Sequence, residues 1–184
     1  MNIWHDIDRE RIKPEEFMAV IEITKGSKNK YELDKATGML MLDRVLYTAT
    51  HYPANYGFIP RTYADDGDPL DVLVLCLECI DPMTLVKCYP IGVIKMIDNG
   101  EVDEKIIAIP VKDPSLNMYN DTSELPSHLF NEIAHFFEVY KVLEEKHTAV
   151  KEVLGRDAAI ESIQRSIDAY DKKFNKSTDK EVVE

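Results

Sequence analysis

Asp65-Asp66-Gly67-Asp68-Pro69-Leu70-Asp71-Val72-Leu73-Val74-Leu75 sets four carboxylates within seven residues, directly ahead of an apolar run. Gly67 and Pro69 predict a tight loop, and the β-branched and leucine run predicts a buried strand. Carboxylates crowded on one loop repel one another unless a positive charge stands between them. Hard divalent cations such as Mg²⁺ or Ca²⁺ prefer carboxylate oxygen, so the loop is either a cation site or a solvated acidic turn. The charges that the rest of the chain brings decide between the two.

Upstream, residues 1 to 16 are polar, and Phe17 to Thr24 alternates with Val and Ile as a strand does. Lys30 to Asp34 and Met39 to Arg44 predict a hairpin turning at Lys35-Ala36-Thr37-Gly38. His51-Tyr52-Pro53-Ala54-Asn55-Tyr56-Gly57-Phe58-Ile59-Pro60 is rich in aromatics, Pro and Gly, and predicts an aromatic-stapled surface loop. Downstream, Thr84 to Tyr89, Ile91 to Ile97 and Lys105 to Val111 bring the strands to six or seven. Asp98-Asn99-Gly100-Glu101-Val102-Asp103-Glu104 is a second acidic turn, with Asn-Gly as its hairpin signal. After Pro114 the period changes. Leu129, Ile133, Phe136, Phe137, Tyr140 and Leu143 predict one helix, and Ile160, Ile163, Ile167, Tyr170 and Phe174 a second. Strands followed by helices predict an α+β fold, mainly β, and a closed barrel would remove the exposed edges.

A chain of 184 residues is long enough for one well-packed domain, here expected over 1–184, with a leader at 1–15 and a tail at 175–184 as peripheral segments. A net charge of -12 argues against nucleic acid or an anionic membrane as partner. The N-terminus lacks a signal-peptide pattern and no apolar window reaches membrane-spanning length, so a cytoplasmic location is expected. Cys76, Cys79 and Cys88 have no second pair to complete a zinc site, and are read as core thiols in a reducing compartment.

Strand periodicity puts Lys30 and Glu32 on one face, while Glu22 interrupts an apolar strand and Arg44 ends another. Each charge alone suits an exposed strand position. Together with Lys105, Tyr140 and Lys141, and with two acidic turns, they form a set suited to a small, highly charged phosphate ligand. Metals would bridge phosphoryl oxygens and acidify a bound water, and Lys and Arg would neutralise the leaving phosphate.

At this point the chain resembles the family I soluble inorganic pyrophosphatases. Asp66-Gly67-Asp68-Pro69-Leu70-Asp71 matches that family's D-G-D-P-x-D signature. Ile21-Glu22-Ile23, Lys30-Tyr31-Glu32, Asp43-Arg44, Tyr52-Pro53-Ala54-Asn55-Tyr56-Gly57, Asp98 with Asp103 and Lys105, and His135-Phe136-Phe137-Glu138-Val139-Tyr140-Lys141 follow in the family's order. The likeness spans roughly residues 14 to 145.

The resemblance implies an OB-like five-stranded closed β-barrel with additional hairpins and two helices in the C-terminal half. It implies hydrolysis of pyrophosphate to two orthophosphates with several Mg²⁺, for which Mn²⁺ or Zn²⁺ could substitute. Asp66, Asp71 and Asp103 match ligands of the tighter metal sites, Asp98 a ligand of a metal arriving with substrate, and Glu22 a further contact. Asp68 matches the general base acting on a metal-bridged water. Lys30, Arg44, Tyr56, Tyr140 and Lys141 match phosphate-holding positions, joined by Lys105; Glu32 and Tyr52 support them. A homo-oligomer, with the hexamer favoured, is implied as well. Val139 stands where some relatives carry a second histidine, and Asn99 where many carry an acid.

Three other readings compete. A hydrolase of other phosphoanhydrides lacks a Gly-rich phosphate loop to support it. A non-enzymatic cation-binding module of EF-hand type would need Gly at Asp71 and Glu at Leu77. An OB-type nucleic-acid binder would suit the fold but not the charge.

Overall fold

The computed structural model describes residues 2–174, so the expected peripheral tail at 175–184 lies outside the described residues. Among the described residues nine strands are formed: β1 (Ile12–Lys13), β2 (Glu16–Ile23), β3 (Asn29–Leu33), β4 (Leu40–Val45), β5 (Asn55–Phe58), β6 (Asp71–Val74), β7 (Leu85–Asp98), β8 (Glu101–Pro110) and β9 (Thr148–Gly155). Two helices follow in the C-terminal half, α1 (Ser127–Val139) and α2 (Arg156–Phe174). The strands β2-β5-β6-β8-β7 pair in that order, and β2 pairs with β7 to close the ring. Neighbours in the ring are antiparallel except β6 and β8, which run parallel. This is the five-stranded OB-like barrel that the family resemblance implies, with β3 and β4 as a separate hairpin and β9 added to β7.

Alternating side chains serve the two faces of this sheet. Val72, Val74, Val93, Ile106 and Ala108 pack with Ala159, Ile163 and Ile167 of α2. Leu73, Ile94, Met96, Ile107 and Ile109 pack with Phe130, Ile133, Phe136 and Phe137 of α1. Asp71 shares the strand face of Leu73, and Asp103 and Lys105 share that of Ile107. The charged residues therefore continue the α1-side apolar face beyond its end.

Beyond the unexpected strand β9, four segments depart from expectation. The stretch around Tyr52 to Pro60 is not a surface loop: Tyr52, Ala54, Asn55, Phe58 and Ile59 are buried, and Asn55–Phe58 is a barrel strand. It fits because Gly57 has no side chain; a Cβ there would lie 1.8 Å from the Val20 carbonyl oxygen. Second, the two strands expected over 84–97 are one 14-residue strand, β7, which runs through Pro90 at a register shift. A shift of this kind removes the need for the ladder donor that proline lacks. Third, only Cys88 is a core thiol, since Cys79 is exposed and Cys76 half-buried beyond the end of β6. Fourth, the leader is not peripheral throughout: Trp4, Ile7 and Ile12 are buried.

Candidate active site

The parallel register of β6 and β8 puts Asp71 opposite Lys105. The Asn99-Gly100 turn joins β7 to β8, both residues in the left-handed region at φ 50 and 90, and sets Asp98 near the site's far wall. The loop before β6 is closed by its own hydrogen bonds. Ala64 donates to the Asp68 carbonyl at 2.8 Å, Gly67 at φ 85 donates to the Ala64 carbonyl at 3.0 Å, and the Asp68 amide donates to Asp66 Oδ1 at 3.0 Å. Asp66 and Asp68 are thereby turned toward one cleft.

That cleft, of about 290 Å³, is bordered by twelve of the fourteen residues singled out in the sequence: Glu22, Lys30, Glu32, Tyr56, Asp66, Asp68, Asp71, Asp98, Asp103, Lys105, Tyr140 and Lys141. Arg44 and Tyr52 do not border it. Tyr52 is buried behind, its ring 5.3 Å from that of Tyr56. Arg44 donates through Nε to Glu144 Oε1 at 2.8 Å and pairs with Asp43. Lys141 follows the end of α1 rather than lying within it.

At the centre, Lys105 is 3% exposed, with its Nζ 2.7 Å from Asp71 Oδ2, 3.0 Å from Asp103 Oδ2 and 3.1 Å from the Tyr56 hydroxyl. Tyr56 donates to the same Asp71 oxygen at 2.5 Å. Burial disfavours the Lys105 ammonium, but Asp103 and Asp71 more than offset it and hold its pKa well above the ordinary value. Other cations are also paired: Lys141 with Asp98, Lys30 with Glu32, and Lys35 with Asp68.

Trp4 and Lys35, which sequence reasoning missed, are among the cleft's remaining residues. Trp4 Nε1 donates to the Thr62 carbonyl at 2.9 Å, and its ring lies 5.5 Å beneath the Lys35 ammonium. A lone tryptophan in a polar leader carries no sequence pattern that would betray this placement.

Among the described residues, no three His, Cys, Asp or Glu side chains form a ready cation cage. The carboxylates nevertheless fit a hard divalent cation. Asp98 Oδ1 is buried with no hydrogen-bond partner. Burial, then the nearby Asp71 charge, push the Glu22 carboxyl up to about 8, against the Leu33 amide that donates to it at 2.8 Å. Burial likewise raises Asp66 and Asp103, and neighbouring carboxylates add to it. A carboxyl group raised in this way is short of positive charge, and an all-oxygen donor set suits Mg²⁺-like ions rather than soft ones.

Residues 19–171 match the family of inorganic pyrophosphatases. Soluble inorganic pyrophosphatase 1 of Arabidopsis thaliana is 50% identical over 167 residues, covering 91% of this chain and 79% of that protein. The soluble inorganic pyrophosphatase of Zea mays is 51% identical, covering 91% and 78%. Among solved structures, an inorganic pyrophosphatase from Helicobacter pylori superposes with a TM-score of 0.84 at 44% identity, over 86% of this chain and 95% of that one. One from Thermus thermophilus gives 0.87 at 39% identity, over 92% and 99%. Among the described residues no helix is long and apolar enough to cross a membrane.

Proposed function

We propose, since the chain belongs to the inorganic pyrophosphatase family and hydrolyses pyrophosphate to orthophosphate, that this chemistry takes place in the cleft between the acidic loop and the β7–β8 hairpin. The observation that carries the assignment is the meeting of five aspartates with Lys30, Lys105, Lys141, Tyr56 and Tyr140 around one small space. Dependence on a divalent metal goes with the family. Mg²⁺ is the ion proposed, because the cleft is bordered by hard carboxylate oxygens and by neither thiol nor imidazole.

Asp66, Asp71 and Asp103 would hold metal before substrate arrives, Asp98 a metal entering with it, and Glu22 an outer contact. When bound, the metal acidifies a coordinated water and offsets phosphoryl charge. Asp68 is the general base, taking one proton from the attacking water as the bond from phosphorus to the bridging oxygen breaks. Lys30, Arg44, Lys105 and Lys141 neutralise charge on the two phosphoryl groups, with Arg44 offering a planar fork. Burial raises the Tyr56 and Tyr140 hydroxyls above their ordinary pKa, which suits them to donate hydrogen bonds to phosphate as neutral phenols. Glu32 steadies Lys30, and Tyr52 backs the Tyr56 ring. The same family likeness supports a single catalytic unit over the chain, a homohexamer and a cytoplasmic location.

The test is phosphate release from pyrophosphate by purified protein with Mg²⁺, Mn²⁺ or Zn²⁺, for the wild type and Asp68→Asn. Asp68→Asn should lower turnover by roughly 10² or more with metal affinity little changed. If it instead abolishes metal binding and excess Mg²⁺ restores turnover, Asp68 is a ligand and not the base.

A further inference from the structure

Arg44 is the one predicted phosphate-binding cation that does not border the cleft, and its guanidinium is held in a particular way. Nε donates to Glu144 Oε1 at 2.8 Å and Nη1 pairs with Asp43, while Nη2 is buried with no partner. Guanidinium keeps its charge at any working pH and presents its donors in one rigid plane, so fixing Nε and Nη1 also fixes where Nη2 points. A buried, unpartnered charged donor is costly, and a binding site is one setting in which that cost is tolerated.

Glu144 is placed to do this fixing. Its side chain is only 7% exposed, and it closes a single helical turn, Val142–Glu144, which Glu145 ends in the left-handed region at φ 57. The turn follows directly on Tyr140 and Lys141, and Lys141 pairs with Asp98 at the end of β7. Arg44 in turn lies opposite Lys30, which borders the cleft, in the β3–β4 hairpin. One short segment therefore ties the hairpin carrying Lys30 and Arg44 to the helix end carrying Tyr140 and Lys141. Those are the two sources of phosphate-binding groups outside the barrel strands.

We infer that Glu144 is a positioning residue for pyrophosphate: it grips Arg44 through Nε and leaves Nη2, buried and without a protein partner, as the guanidinium donor that a phosphoryl oxygen would satisfy. The inference rests on the assignment of Arg44 to substrate binding made above. Without Glu144, the guanidinium could turn to Asp43 alone and withdraw Nη2. Substrate would then have to fix a mobile side chain on binding, which appears mainly in KM.

The experiment measures kcat and KM for Mg-pyrophosphate in the wild type, Glu144→Ala, Glu144→Asp, Arg44→Ala and the Glu144→Ala/Arg44→Ala double variant, with melting curves for each. Glu144→Ala is expected to raise KM by about tenfold while kcat changes by less than about threefold. It should add nothing further once Arg44 is alanine. Glu144→Asp keeps the charge but draws the carboxylate back from Nε, and should raise KM by about fivefold; it serves as the test if the alanine variant does not fold. A wild-type KM in Glu144→Asp, or an equal loss from Glu144→Ala in both Arg44 backgrounds, overturns the inference and leaves Glu144 a structural ion-pair partner. A wild-type KM in Arg44→Ala overturns the Arg44 assignment itself, and the inference with it.

Discussion

Lys105→Met tests the electrostatics of the cleft without changing its shape much, since methionine fills most of the space of the lysine stem. The substitution removes the only side-chain cation among the described residues within 3.0 Å of both Asp71 and Asp103, and a donor to Tyr56 at 3.1 Å. Removing one member of a buried ion pair costs about 3–5 kcal/mol, because the remaining charge stays buried without a counterion. Asp71 keeps 27% of its side chain in solvent, so the lower end, about 3 kcal/mol, is the better figure. For a chain of this length that is a fall in Tm of about 6–12 °C. The assay is thermal melting in EDTA and again in excess Mg²⁺. Two carboxylates freed of their lysine bind a cation more tightly, so Mg²⁺ should raise the Tm of the variant by more than that of the wild type. A Tm within about 2 °C of wild type in EDTA would refute the counterion role. So would equal Mg²⁺ increments in the two proteins.

Gly57→Ala would place its Cβ 1.8 Å from the Val20 carbonyl oxygen and 3.0 Å from Ile21 Cα, both main-chain atoms of a paired strand. A loss of about 3 kcal/mol or more is expected by denaturant unfolding, and unchanged stability would contradict the close packing of β5 on β2. Asp121 accepts from the Arg156 amide at 2.8 Å and the Ser123 amide at 2.9 Å, capping α2 and a short turn together. Asp121→Ala should cost about 1 kcal/mol near neutral pH. Those two amides lower the Asp121 pKa, Arg156 first. Its stabilisation is therefore present above the unfolded value near pH ~3.9 and is lost as pH falls through the lower folded value. The two unfolding curves should accordingly converge in strong acid and not at pH 6. Trp4 is the sole tryptophan and borders the cleft, so its emission should change when Mg²⁺ and orthophosphate are added together. A spectrum insensitive to saturating ligand would place Trp4 outside the working site.

The acidic loop was legible as a turn from its Gly and Pro and as a candidate site from the matching charges elsewhere in the chain, and the Asn99-Gly100 turn because its left-handed geometry demands such residues. The helices were legible from their apolar period. β5 was not, because Pro53, Gly57 and Pro60 carry the composition of a loop, and what makes Gly57 a strand residue is a contact with Val20, distant in sequence. Nor was β9, because Thr148–Gly155 mixes charges with its apolar residues, as suits a strand added at the side of β7. In the site, ligand-type side chains could be named from their order along the chain. Trp4, Lys35 and Glu144 could not, since each owes its place to tertiary packing rather than to a local pattern.

The parallel pairing of β6 with β8 has a consequence for how this enzyme matures. Asp71 and Lys105 meet only when two segments separated by a loop, the long strand β7 and its turn have come together in register. Contacts of such separation form late, after the local turns and helices. Recovery of pyrophosphate hydrolysis after dilution from denaturant is thus a clock for barrel closure, whereas far-ultraviolet dichroism also registers α1 and α2. A lag between the two signals would time the final zipping of the ring, with the substrate as reporter and no label attached.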